Sequence, residues 1–386
     1  MSKNTSARRR KRKLIFLVIE IILIVILAIG LLVFNKLNLI KRVSFDQSAM
    51  KTNKLSEETV KKYTGYTTIA LFGLDNRKQG EYKTGNTDVI MIANINNDTK
   101  EMKIVSVYRD TFLNVGDEDI TFQKCNSAYA RGGYKRAISM LNKNLDIDVD
   151  NYLAFDFQAV ADAVDILGGV TINIDSEEEL KYLNKYIKHT NGILDTHAKT
   201  FKTVGKHNLN GVQAVAYSRI RYTAGGDYKR AQRQRLVLSK MIAKARKANF
   251  SQMNKLVNAV FPKIETGLSQ KEMLNMMRAM LNYDSSKSRG FPFTRTTKTL
   301  PAKGSVVVPC DLESNVIKLQ KYFYGTDNYK PSDAVKKYSQ MIVSQTGITK
   351  NGAAHDSFEG GDNFKNSSTN TTGSSGSSSG TGSTSN

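Results

Sequence analysis

The chain has 386 residues, with 57 Lys and Arg against 35 Asp and Glu and a formal charge of +22. A surplus of this size calls for an anionic partner: a nucleic acid, a membrane surface or an acidic polymer. Two cysteines exclude a disulfide framework, and four histidines without any CxxC or HExxH spacing leave little for a zinc site.

Residues 1–13 carry seven cations and no acid. Leu14–Phe34 follows as 21 almost wholly apolar residues, with Glu20 its only charge. Such a run is long enough to cross a bilayer, too long for a signal-peptide core, and is followed by no small-residue cleavage site. The basic block ahead of it stays cytoplasmic by the positive-inside rule. The sequence thus predicts a cytoplasmic segment 1–13, a transmembrane anchor 14–34, and an extracellular remainder. Taking the seven cations of the first segment from +22 leaves +15 on the rest. A basic exterior disfavours nucleic acid and favours an anionic envelope component.

Residues 35–65 are polar and read as a stalk or irregular extension. From Tyr66 the pattern becomes mixed α/β. Strands are predicted at 67–72, 89–95, 103–107, 152–155 and 170–174, and helices at 126–144, 157–167 and 211–216. Gly168-Gly169 stops a helix, Asn210 caps the one at 211, and Asp227 caps a long helix over 228–249. A helix at 269–281 and a strand at 305–308 complete the same globule. The expected fold is therefore one extracellular mixed-sheet α/β domain flanked by helices, over 66–345, followed by a disordered segment 346–386 that becomes almost pure Ser, Thr, Gly and Asn from Asn363. Cys125 and Cys310 are either paired or buried as free thiols.

Chemistry gathers at two places. If the first three strands form an up-down-up meander, Asp75, Asp88, Arg109 and Asp110 meet at one sheet edge. Two carboxylates beside an oxyanion suit Mg²⁺ (or Mn²⁺), which takes oxygen ligands and keeps waters and phosphates. The second place is SRIRYTAGGDYKRAQRQR, residues 218–235. Arg219 and Arg221 share a face if extended, and Arg230, Arg233 and Gln234 share a face on a helix. Two arginine groups joined by Ala224-Gly225-Gly226 suit a phosphate-rich ligand. Lys124 adds a cation ahead of the helix at 126.

The motifs LFGLDNR (71–77), NTDVIMI (86–92), VSVYRDT (105–111), KCNSAYARGG (124–133), DILGGVTINI (165–174), LNGVQAVAYSRIR (209–221) and GDYKRAQRQR (226–235) stand in an order that resembles the LytR-CpsA-Psr family of cell-envelope proteins. The resemblance covers about Thr67 to Ile242. It implies transfer of a glycopolymer from a polyprenyl-pyrophosphate carrier to peptidoglycan, forming a phosphodiester, releasing polyprenyl phosphate and assisted by magnesium. By resemblance Asp75 and Asp88 surround the metal and pyrophosphate. Arg109, Arg219 and Arg221 join them as catalytic residues, and Lys124, Arg219, Arg221, Arg230, Arg233 and Gln234 grip the pyrophosphate or shape its site. The expected partners are the lipid-linked glycopolymer, peptidoglycan and membrane lipid, with no nucleic acid. A lipid tunnel is likewise implied by the resemblance alone, since the apolar faces at 89–95, 152–155 and 157–167 otherwise read as core. Asn86 departs from an arginine common in the family, with Lys83 as a possible substitute, and Cys125 replaces a small aliphatic residue.

The same residues also suit a hydrolase using water as acceptor, or a non-catalytic receptor for an anionic polymer. A membrane-bound transcriptional regulator is disfavoured, because 13 cytoplasmic residues are too few for a DNA-binding fold.

Overall fold

The computed structural model describes residues 39–75, 80–83, 85–223, 225–352 and 355–356. In chain order its strands are β1 (Lys41–Arg42), β2 (Tyr66–Leu74), β3 (Thr87–Asn96), β4 (Met102–Val107), β5 (Phe112–Asn114), β6 (Phe122–Lys124), β7 (Asn151–Asp156), β8 (Val170–Ile174), β9 (Gly205–Leu209), β10 (Ile264–Thr266), β11 (Arg289–Phe291), β12 (Thr294–Leu300), β13 (Gly304–Pro309) and β14 (His355–Asp356). The helices are α1 (Glu57–Tyr63), α2 (Ser127–Leu145), α3 (Phe157–Ile166), α4 (Glu177–Leu194), α5 (Gly211–Arg219), α6 (Gly226–Ala245), α7 (Phe250–Val260), α8 (Gln270–Leu281), α9 (Leu312–Tyr324) and α10 (Asp333–Thr346).

A seven-stranded mixed sheet, in the order β1-β10-β7-β2-β3-β4-β11, forms the middle layer. Strands β2, β3 and β4 make the expected antiparallel meander, while β7 joins β2 in parallel. The central strands are apolar on both faces, as a covered sheet requires. Ala70, Phe72, Leu74, Ile90 and Ile92 pack on one side with α2, α9 and α10. Ile69, Leu71, Met91 and Ala93 pack on the other with α6 and α8. The side-chain period of two thus feeds two separate cores.

A smaller apolar cluster joins α4, the antiparallel β8-β9 pair and α5. Helix α5 starts in a capping box, with Asn210 accepting from the Gln213 amide and Gln213 returning the bond. It lies so close to α3 that a Cβ on Gly211 would sit 2.1 Å from the Ala161 carbonyl oxygen. That contact fixes where the last turn of α5, ending in Arg219, delivers its side chains.

Several expectations change. Residues 39–65 are packed on the domain rather than standing off as a stalk: β1 pairs with β10, Ile40 and Met50 are buried, and the Asn53 amide bonds Lys143 and Asp146. Gly225, not Asp227, is the N-cap of α6, with φ at +88°, and Asp227 sits inside the first turn. The helix predicted to run to residue 249 stops at Ala245, and Asn249 caps α7 anew. Part of the expected C-terminal tail is ordered, since β14 pairs with β12. Cys125 and Cys310 are both buried and free. The anchor at 14–34, the basic segment 1–13 and the tract from 357 lie outside the described residues. Among those described, no helix is long and apolar enough to cross a membrane.

Candidate active site

Strand β3 carries a bulge where it leaves β2. Gly73 pairs with Val89 and Leu74 with Thr87, so Asp88 is the extra residue. A bulge withdraws one residue from the ladder and re-aims it. The Asp88 carbonyl accepts instead from Arg230 Nη2 at 3.1 Å and Gln234 Nε2 at 3.3 Å, both on α6. Its carboxylate receives Arg109 Nη1 at 2.5 Å, with Arg230 Nη1 3.9 Å away. Beyond the bulge the Asp75 amide still reaches the Asn86 carbonyl, which keeps Asp75 at the same edge.

Arg109 lies in the middle of this cluster. Its Nε is 3.7 Å from Asp227 and 3.8 Å from Asp110, and Lys124 Nζ is 3.5 Å from Asp110. Asp227 in turn meets Arg230 at 3.0 Å. Burial works against the Asp88 carboxylate, but Arg230 and then Arg109 outweigh it and hold its pKa below the ordinary value. For Asp227 burial wins despite Arg230, and the neighbouring Asp110 adds to it, so that carboxyl is pushed up. Burial likewise opposes charge on Arg109, but Asp88, Asp110 and Asp227 keep it protonated.

Arg219 approaches from the far side. It is 9% exposed, stacks on Phe157 at 4.7 Å, and lies 3.9 Å from Asp75. One terminal nitrogen touches His189 and Thr190 of α4. Arg219 does not share an extended face with Arg221, as the spacing suggested. It ends a helix, Ile220 is buried between them, and Arg221 lies at the outer lip against Tyr222. The face shared by Arg230, Arg233 and Gln234 also divides. Arg230 and Gln234 turn to Asp88, whereas Arg233 is used up on Glu179, the Ile220 carbonyl and Thr223. Arg233 therefore holds the loop that carries Arg221 and offers no free edge to a ligand.

The Nε donors of Arg109, Arg219 and Arg230 are buried without a hydrogen-bond partner among the described residues. Arg109 Nε has only the long ion pairs to Asp110 and Asp227, so the cluster retains donor capacity toward acceptor oxygens. Arg219, together with Asp88 to which Arg109 and Arg230 bind, borders an apolar cavity of about 400 Å³ between the sheet and α3, α6, α7 and α8. Asp88, Arg219 and Gln234 stand in its wall among Leu71, Val89, Leu153 and Phe155, and Met273, Met276 and Met280 line it further on.

The LytR_cpsA_psr family description matches residues 34–308. The chain belongs to the LytR_cpsA_psr family. It is 29% identical over 210 residues to the polyisoprenyl-teichoic acid–peptidoglycan teichoic acid transferase TagU of Enterococcus faecalis, covering 53% of this chain and 62% of that relative. The chain thus spans less than two thirds of that relative's length. TagU of Bacillus mycoides is 29% identical over 295 residues, covering 70% of this chain and 84% of the relative. A solved structure of the LytR-CPS2A-psr family protein YwtF (TagT) with bound octaprenyl pyrophosphate lipid aligns with a TM-score of 0.52 at 21% identity, over 74% of this chain and 100% of that one. At that identity the likeness is one of fold.

Two acids that anchor these arginines are not among the site residues expected from the sequence. Asp227 is expected as a cap, but its i,i+3 spacing to Arg230 is that of the ion pair it forms. Glu179 lies on α4, a helix that was not assigned, although Ser176 and Glu179 carry a capping-box spacing and Leu180, Leu183 and Ile187 a helical period.

Proposed function

We propose that the chain is a membrane-anchored phosphotransferase of the bacterial envelope, with segment 14–34 as its single span and its domain outside the cell. It moves a glycopolymer from a polyprenyl-pyrophosphate carrier to peptidoglycan. The observation that carries this reading is the cluster of Arg109, Arg219 and Arg230 around Asp88, where Asp88 and Arg219 themselves line an apolar cavity. That pairing of environments matches a ligand that is a diphosphate at one point and a hydrocarbon beyond it.

The carrier already holds an activated diphosphate, so the protein's task is to position a hydroxyl and spread charge. The acceptor oxygen attacks the phosphorus that bears the glycopolymer. The bridging P–O bond breaks, its electron pair leaves with polyprenyl phosphate, and the hydroxyl proton passes to a carboxylate. Arg219, Arg109 and Arg230 receive the phosphate oxygens, Lys124 adds charge from beside Asp110, and Arg221 guards the lip. Asp88 is a weak base because the arginines hold its pKa down. Asp227, whose carboxyl is pushed up, is the stronger proton acceptor.

Asp75 and Asp88 would hold Mg²⁺ (or Mn²⁺). Asp75 is half-open, and both ion pairs of Asp88 run through Oδ1, which leaves Oδ2 for a cation. Two carboxylates together with substrate phosphate are a usual Mg²⁺ environment. Such an ion supplies charge neutralisation on the diphosphate.

The test is transfer by the full chain from a lipid-linked glycopolymer, with product analysis in the presence and absence of peptidoglycan. Arg219→Ala is expected to lose about 10²–10³ in rate while still folding. Full turnover by that variant would remove Arg219 from the site. Release of free polymer at the same rate with and without peptidoglycan would make the protein a hydrolase.

A further inference from the structure

The far wall of the cavity is thin. Helix α7 buries only Val257 among its 11 residues, yet Met253, Leu256 and Val260 line the cavity from its inner face. Its outer face is of another kind. Phe250 is 82% exposed, the most open large apolar side chain described, and Leu281 at the end of α8 is 47% exposed and borders the same cavity. Around them Arg246, Lys247 and Lys255 are exposed.

Charge in this region is one-sided. No acid occurs between Asp227 and Glu265. Of the cations from Lys240 onward in that stretch, Lys263 pairs with Asp162 and Arg246 lies near Asp284, while Lys240, Lys244, Lys247 and Lys255 stand outside the described ion pairs. A soluble surface ordinarily mixes both signs. An exposed aromatic beside cations that outnumber the nearby acids is instead the composition that settles on an anionic lipid surface.

The chain path points the same way. Residue 41 of β1 is seven residues beyond Phe34, the last of the apolar run, and extended chain covers at most about 3.5 Å per residue. Strand β1 therefore lies within about 25 Å of the end of that run. It pairs with β10, which follows α7 directly, and Ile40 shares an apolar cluster with Val260 and Phe261. The α7 side of the domain is the side tethered to the anchor.

We infer that α7 docks on the anionic bilayer surface through Phe250, Lys247 and Lys255, and that it is the gate by which the prenyl chain passes between membrane and cavity. This rests on the proposed function, since it assigns the entry route of the same lipid. The occupant is the bilayer rather than a soluble anionic polymer, because Phe250 and Leu281 give a polymer of phosphates or sugars nothing to hold.

The test uses the full chain reconstituted in vesicles. Cys125 and Cys310 are buried, so Ser251→Cys can be labelled alone with a polarity-sensitive fluorophore. Spin-labelled lipid is expected to quench it in vesicles of phosphatidylglycerol and phosphatidylcholine. A label at Ser344→Cys, on the surface of α10, should stay bright. Replacing Lys247 and Lys255 by Glu should weaken the quenching, by about five-fold for each cation lost. Phe250→Glu should cut turnover of bilayer-embedded substrate about ten-fold and leave turnover in detergent micelles within two-fold. Equal quenching at both label sites overturns the inference. So does relief of quenching by soluble anionic polymer, or quenching that grows with protein concentration through a second copy. A wild-type chain inert in both micelles and vesicles would sink the transferase reading instead, while the quenching result would still decide the docking.

Discussion

The two ends of the central sheet bury carboxylates under opposite conditions. At the end where β2 finishes, Asp88 is 8% exposed, and Arg230 and Arg109 turn the cost of burial into a lowered pKa. At the end where β2 begins, Asp150 accepts from the Thr68 amide at 2.7 Å, and its charged neighbours are Asp148 and Glu272. There burial prevails and the carboxyl is pushed up to about 6. Burial, with two acids nearby, therefore raises a carboxyl at this end of the sheet. What makes the first end a site for anion chemistry is the set of guanidinium groups brought by α5 and α6.

The largest test of that contrast removes a cation from the first end. Arg230 is 3% exposed and touches Asp88 twice and Asp227 once. Arg230→Met leaves those acids buried against one another and should destabilise the domain by about 3–5 kcal/mol at neutral pH. The loss should shrink with acidification. In the parent Asp88 titrates below its ordinary value and stays charged, whereas in the variant burial raises it and a proton relieves the strain. Urea melts at pH 7.5 and pH 5 measure both figures. An equal deficit at the two pH values would mean that Asp88 is not the group left exposed to its own burial.

The opposite end gives a smaller effect of reversed sign. A carboxyl whose folded pKa is raised weakens the fold only where it is ionised: fully above about 6, and not at all below the unfolded value near 4. Asp150→Asn keeps an acceptor for the Thr68 amide and removes the charge. Discounted for partial exposure, the gain should be on the order of 2 kcal/mol at pH 8 and vanish near pH 4. A gain of the same size at pH 4 would point to packing rather than titration.

The strands β2, β3, β4 and β8 were legible in the sequence to within one or two residues, because apolar and β-branched runs bounded by turn residues leave few alternatives. The convergence of Asp75, Asp88 and Arg109 followed from the meander alone. The bulge at Asp88 did not, since one extra residue leaves no trace in a strand that is apolar on both faces. Nor did the division between Arg230 and Arg233. Both lie on one side of α6, and only the docking of α4, which places Glu179 against Arg233 from 54 positions away, decides which arginine faces the site. Helical spacing gives the face, but the neighbouring element assigns the partner.

Arg221 is where the contrast is finest. It is half-buried at the lip, stacked on the exposed Tyr222, and within range of charge repulsion from Arg109. No acid holds it among the described ion pairs, so removing it should change stability by no more than about 0.5 kcal/mol. Its guanidinium still adds to the positive field over Arg109. If the diphosphate sits where that field is strongest, Arg221→Ala should lose about ten-fold in turnover with an unaltered melt. Arg221→Lys should recover part of the loss through charge but not the forked geometry. Wild-type rates in Arg221→Ala would confine the working cations to Arg109, Arg219 and Arg230, and would leave the lip residue a spectator.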